Sequence, residues 1–109
     1  MQRQRDFQRL LRQGRRYRGR FLTLVFLSGS PSQPLRAAPI VSRKVGGAVV
    51  RNCLKRRFRE ILRLAPWREG TAGDLAVIAH RQAAQARFTD LEQELTLGLR
   101  HAGLLVGGE

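Results

Sequence analysis

One stretch narrows what this chain can fold into more than any other. Residues 43–63 carry eight basic side chains, yet their apolar residues recur at helical spacing. At roughly 100° per residue, Val50, Leu54, Phe58, Ile61 and Ala65 share an arc of about 80°. Arg51, Asn52, Lys55, Arg56, Arg59 and Arg63 gather on an opposite arc of about 140°. Gly46-Gly47 marks the entrance and Pro66 the end, so a helix is predicted from Ala48 to Leu64. Arg57 falls on the apolar side, so it must snorkel or the helix must meet the core obliquely. Five cations share the polar arc, and Glu60 alone is near enough to offset them. Their mutual repulsion costs stability unless a polyanion meets that face. Backbone N–H groups exposed at the Gly46-Gly47 entrance would suit a phosphate.

The charge distribution supports the same inference. The 109-residue chain has a formal charge of +13. Residues 1–64 hold 17 basic and 2 acidic side chains, and residues 65–109 hold 4 and 6. A coat of charge for solubility would be even, whereas a footprint for nucleic acid is concentrated. The length suits a single domain, 1–109, with residues 104–109 expected to fray. A lone cysteine, Cys53, excludes an internal disulfide, and one Cys with two separated His makes no four-ligand zinc site. The sequence shows no apolar run of membrane-spanning length and no secretory signal at its start, so a cytoplasmic protein is expected.

The other elements follow from local signals. Asp6 suits the N-cap of a short helix bearing Phe7, Leu10 and Leu11, with Gly14 as its stop. The basic run Arg15–Arg20 leads into a strand over 21–27, bounded by Ser28-Gly29-Ser30-Pro31. Leu35–Val41 reads as a second strand, placed at an edge or broken by Pro39. Leu75–Ala79 reads as a third, buried strand. A last helix is predicted from Thr89, with Glu92 completing a capping box, through Leu91, Leu95 and Leu99 to Gly103; Gly98 should weaken it. These residues give an α+β domain with three strands in one layer.

The run Arg43-Lys44-Val45-Gly46-Gly47-Ala48-Val49-Val50-Arg51-Asn52-Cys53-Leu54-Lys55-Arg56-Arg57-Phe58-Arg59-Glu60 resembles the signature of the ribonuclease P protein family. It covers that family's turn and its basic helix. Asp6-Phe7-Gln8-Arg9-Leu10 through Gly14, the strand at Asp74–Ala79 and the acidic closing helix are also similar. The resemblance implies a four-stranded single-layer sheet packed with helices, in the order α-β-β-β-α-β-α, with a left-handed parallel β-α-β crossover. It implies an accessory subunit of an endoribonuclease ribonucleoprotein, in which a large RNA removes the 5′ leader of precursor tRNA. Magnesium would be held by that RNA and the substrate, with no catalytic or metal-binding residue in the protein. By motif match, Arg51, Asn52, Lys55, Arg56 and Arg59 would contact the ribonuclease P RNA, with Arg43 and Lys44 beside them. Phe7, Leu11 and Leu24 would line the leader cleft. The chain departs from the family pattern at Cys53, where the motif has Arg, and at Gly47, where it has Asn. Leu11 and Leu24 stand where relatives can carry aromatics.

The acidic residues form no close carboxylate cluster of the kind two-metal nucleases use. His80 and His101 sit in no motif that would make either a general base. Neither a membrane nor a small-molecule substrate is implied. Two other classes compete: a structural RNA-binding protein such as a ribosomal component, and a DNA-binding regulator using residues 48–64 for recognition. Against the regulator, no short helix and turn precede that segment to complete a helix-turn-helix.

Overall fold

The computed structural model describes residues 3–30, 32 and 34–106. Helix α1 (Arg3–Gln13) leads into β1 (Arg15–Arg18), β2 (Leu22–Ser28) and β3 (Arg36–Ile40). Helix α2 (Ala48–Leu64), strand β4 (Gly73–Ala79), a 3-10 turn (Arg81–Gln85) and helix α3 (Phe88–His101) follow. The sheet order is β1-β2-β4-β3. β2 pairs antiparallel with β1 and β4, whereas β3 and β4 are parallel, joined by a crossover through α2. The result is the α-β-β-β-α-β-α order of a four-stranded mixed sheet.

Strand alternation assigns each side chain to a face. Leu22, Leu24 and Phe26 of β2 lie with Leu75, Val77 and Ala79 of β4 in the larger core, which also holds Leu54, Phe58, Ile61 and Leu62 of α2 and Leu91, Leu95 and Leu99 of α3. Val25 and Ala76 face the other way and pack with Leu10 of α1. Both faces of the two central strands are therefore covered, which explains why β2 and β4 read as nearly continuous apolar runs. Pro39 is tolerated because β3 is an edge strand and needs no amide hydrogen bond on its open side.

Three sequence expectations change, and one gap is filled. Strand β1 falls in the basic run that the residues alone left unassigned and supplies the fourth strand that the resemblance implied: its arginines have low strand propensity, but pairing with β2 in the register Arg15↔Phe26 to Arg18↔Thr23 orders them. Asp6 lies inside α1, which already begins at Arg3. Helix α3 starts at Phe88, capped at Arg87 rather than at Thr89, and Asp90 rather than Glu92 accepts the Arg87 N–H at 3.0 Å. Residues 104–106 do not fray. Leu104 and Leu105 are buried, Arg68 N–H donates to the Leu104 carbonyl, and Val106 N–H donates to the Pro66 carbonyl. Residues 107–109, the remainder of the expected frayed tail, lie outside the described residues.

Two close approaches fix α3 against the β1–β2 hairpin. The Glu94 carboxylate accepts hydrogen bonds from the Arg20, Phe21 and Leu22 N–H groups at 2.9, 2.6 and 2.9 Å. Gly98 leaves no room for a side chain: a Cβ there would stand 2.5 Å from Leu24 Cδ1 and 2.9 Å from Tyr17 Cδ1. The glycine that weakens α3 as a helix is what lets it lie flat on the sheet.

Candidate nucleic-acid interface

Helix α2 turns its charged side outward because Leu54, Phe58, Ile61 and Leu62 anchor the other side. Asn52, Arg56, Arg59 and Arg63 are exposed, and Arg51, Lys55 and Arg57 are half-buried. The half-burial of Arg57 fits a stem laid along the protein with its charge at the rim. Val50, placed on the apolar arc by periodicity, is 37% exposed, because the core closes only from Leu54 onward. Arg63 is paired with Glu60 at 2.9 Å. Among the described residues, no carboxylate pairs with Arg51, Lys55, Arg56 or Arg59. The Arg51 Nε is buried with no hydrogen-bond partner among the described residues, an unmet donor of a kind folded proteins rarely keep.

The entrance to α2 adds to this positive surface. Gly47 is the N-cap, with extended backbone (φ −72°, ψ −178°), no side chain bonds the first-turn N–H groups, and no acidic residue occupies that turn. Among the described residues, the positive end of the helix dipole thus has no cap and no acid in its first turn to compensate it. Arg43 and Lys44, both exposed, sit in the turn just before it, which is tied by a Val45 N–H to Ser42 carbonyl bond of 3.1 Å and by the buried Val45 side chain. A Cβ at Gly47 would meet nothing within 4 Å, so the family's Asn would fit there without rearrangement. Cys53 is half-buried in a shallow groove with Arg56, Arg57, Glu60 and Phe88.

On the opposite face of the sheet, α1 overhangs an apolar cavity of about 350 Å³ between Phe7 and Leu10 on one side and Ala38, Ile40 and Ala76 on the other. Arg36 and Asp74 flank it, joined by two hydrogen bonds of 2.8 and 3.0 Å. Phe7 and Leu11 are both half-buried against this face. Leu24 does not join them: it is 2% exposed in the larger core, beneath α3. The β2 residue that faces α1 is its neighbour Val25. With both faces of β2 apolar, alternation alone could not choose between Leu24 and Val25. Arg36 and Asp74 were not foreseen either, because only the parallel β3–β4 register brings residues 38 positions apart together.

The residues whose chemistry would suit catalysis have structural partners. His80 bonds the Thr23 hydroxyl at 2.7 Å and the Arg20 carbonyl at 3.1 Å. His101 packs on the Tyr17 ring, with centroids 5.4 Å apart. Among the described residues, no three His, Cys, Asp or Glu side chains come together as a metal site. No helix among them is long and apolar enough to cross a membrane.

Residues 1–103 match the model of the family described as Ribonuclease P. The chain is 48% identical over 101 residues to the ribonuclease P protein component of Thermus scotoductus, covering 93% of this chain and 58% of that protein. It thus spans somewhat over half the length of that curated relative. Its fold superposes on the Staphylococcus aureus RNase P protein with a TM-score of 0.82 at 27% identity, covering 93% of this chain and 92% of the other. The Thermotoga maritima RNase P protein gives 0.71 at 26% identity, covering 84% and 86%.

Proposed function

This chain belongs to the ribonuclease P protein family, and from that premise we propose that it is the protein subunit of the ribonucleoprotein that removes the 5′ leader of precursor tRNA. Helix α2 binds the catalytic RNA through Arg51, Asn52, Lys55, Arg56 and Arg59, with Arg43 and Lys44 beside its uncapped N-terminus. The observation that carries this reading is that five of the six α2 cations, Arg51, Lys55, Arg56, Arg57 and Arg59, have no acidic partner among the described residues. A structural RNA-binding protein would share such a face; the family match favours the processing enzyme. Hydrolysis belongs to the RNA in this reading. Magnesium belongs with the RNA and the substrate as well in this reading.

The leader lies in the cavity beneath α1, against Phe7, with Leu11 beside it on the same face of the sheet. Apolar walls and one aromatic ring suit unpaired bases of varied sequence, because every base offers a face to stack. Leu24 has no part in this.

Replacing Arg51, Lys55 and Arg59 together with Ala should lower affinity for ribonuclease P RNA by on the order of a hundredfold. The slope of log affinity against log salt should flatten by roughly 0.7–0.9 for each phosphate that the variant no longer neutralises. An unchanged slope would remove α2 as the RNA face. Phe7→Ala should weaken leader-bearing precursor by roughly tenfold, the value of one base stack, and leave mature tRNA unaffected. Equal weakening of both would return Phe7 to a packing role.

A further inference from the structure

A second basic surface lies at the far edge of the sheet, and neither α2 nor the leader cavity accounts for it. Arg12, Arg15, Arg16, Arg18 and Arg20 are all exposed, five arginines within nine residues at the end of α1 and along β1. Among the described residues, none of the five is paired with a carboxylate. Glu94, the acid that reaches this hairpin, spends its carboxylate on the Arg20, Phe21 and Leu22 N–H groups. That clamp also makes the hairpin rigid: a Cβ on Gly19 would sit 2.4 Å from the Glu94 side chain, so the turn is closed down on it.

Two of the arginines have local roles. Arg16 donates to the Leu11 carbonyl at the end of α1, at 2.6 Å, and Arg20 lies over the Phe21 ring, 5.3 Å from its centroid. Among the described residues, Arg15 and Arg18 have neither kind of contact. Beside Arg15 a cavity of about 430 Å³ opens between β1 and the end of α3. Tyr17 and His101 stand at this cavity as a tilted ring pair, over a floor of Leu24, Phe26 and Leu75. Arg15 shares this face with Tyr17, whereas Arg18, three residues along, points to the other face of the edge strand. A cation beside an aromatic notch with an apolar floor, on an edge that carries a second cation, matches a phosphodiester strand with an unpaired base.

Position makes this surface separate. β1 and β3 are the two edges of the sheet, and α2 packs on the β3 side while α3 packs on the β1 side. Three strand spacings, roughly 14 Å, lie between the edges. We infer that β1 and the end of α3 form a second RNA-binding surface, with Arg15 on a phosphate beside an unpaired base held at Tyr17 and His101, and Arg18, on the other face of the same edge strand, on a phosphate where the RNA strand passes over the edge. The chain then grips RNA at two opposite edges, so that affinity gains from linked contacts. This inference rests on the reading of the chain as an RNA-binding subunit. It adds a contact region to that reading without using α2 or the cavity under α1.

The test is a triple variant, Arg15→Ala/Arg18→Ala/His101→Ala, which leaves the α1 cap at Arg16 and the packed Tyr17 in place. Its affinity for the ribonuclease P RNA and, separately, for precursor tRNA is measured across a salt series, with thermal melting as the folding check. Affinity for one of the two RNAs should fall by on the order of tenfold, and its salt slope should flatten by roughly 1.4–1.8, the value of two phosphates. The RNA that responds identifies which strand occupies the edge. The α2 triple variant run alongside separates the outcomes. If it loses RNA and the β1 variant keeps full affinity and slope for both RNAs, the second surface is refuted. If neither variant changes anything, the RNA-binding reading itself fails.

Discussion

Helices α2 and α3 lie on the same face of the sheet and share one core, yet they use their charges in opposite ways. The acids of α3 that face the protein are spent inside it: Asp90 caps the Arg87 N–H and Glu94 takes three N–H groups of the β1–β2 turn. The cations of α2 are almost all left unpaired, with Arg63–Glu60 the one ion pair on that helix among the described residues. A charge that satisfies a buried or half-buried backbone donor contributes to folding wherever the protein is. A row of like charges without partners opposes folding slightly and gains its value only when a polyanion arrives. A charged residue is therefore assigned by what it bonds, not by its sign or its place on a helical wheel.

This contrast can be broken from either side. The largest effect is expected at α3. Glu94→Ala leaves three turn N–H groups without their acceptor and should cost about 3 kcal/mol of stability, read as a fall in the urea midpoint at constant slope. A loss below about 0.5 kcal/mol, no more than an ordinary surface substitution, would mean that the carboxylate is not holding the hairpin to the helix. The smaller effect is at the entrance of α2. Gly47→Ser supplies a cap where a Cβ meets nothing, and should stabilise the fold by a few tenths of a kcal/mol. If a phosphate uses the same N–H groups, the added hydroxyl competes with it, and affinity for RNA should drop slightly while the melting temperature rises. A gain in both would show that the helix entrance does not contact the RNA.

What the sequence displayed and what it hid follow from the range of the interactions. Helix α2 was legible to its ends, because apolar spacing, two glycines and a proline are local signals and its core face is one stripe. Pro39 marked the second strand as an edge strand or a broken one, and the sheet order makes it an edge. Strand β1 was not legible, since four residues rich in arginine become a strand only by pairing with β2. The resemblance placed Leu24 beside Phe7 and Leu11, whereas Val25 is the β2 neighbour that packs with Leu10 of α1, and apolar residues on both sides of β2 leave no local mark of the difference. The cap of α3 was displaced by two residues because Asp90 and Glu92 offer the same chemistry at neighbouring positions. Arg36–Asp74 and Glu94 with the β1–β2 turn are tertiary contacts, across 38 and about 73 residues, and no local pattern announces them.

In the reading proposed above, this chain assists an RNA-catalysed cleavage through the unpaired face of α2. Its most direct test is precursor-tRNA cleavage by ribonuclease P RNA at low magnesium, without protein, with the native chain, and with the Arg51→Ala/Lys55→Ala/Arg59→Ala variant. The native chain should accelerate formation of the correct mature 5′ end, and the folded variant should do so far less. A folded native chain that gives no acceleration with its cognate RNA, or a variant that accelerates equally well, would contradict it.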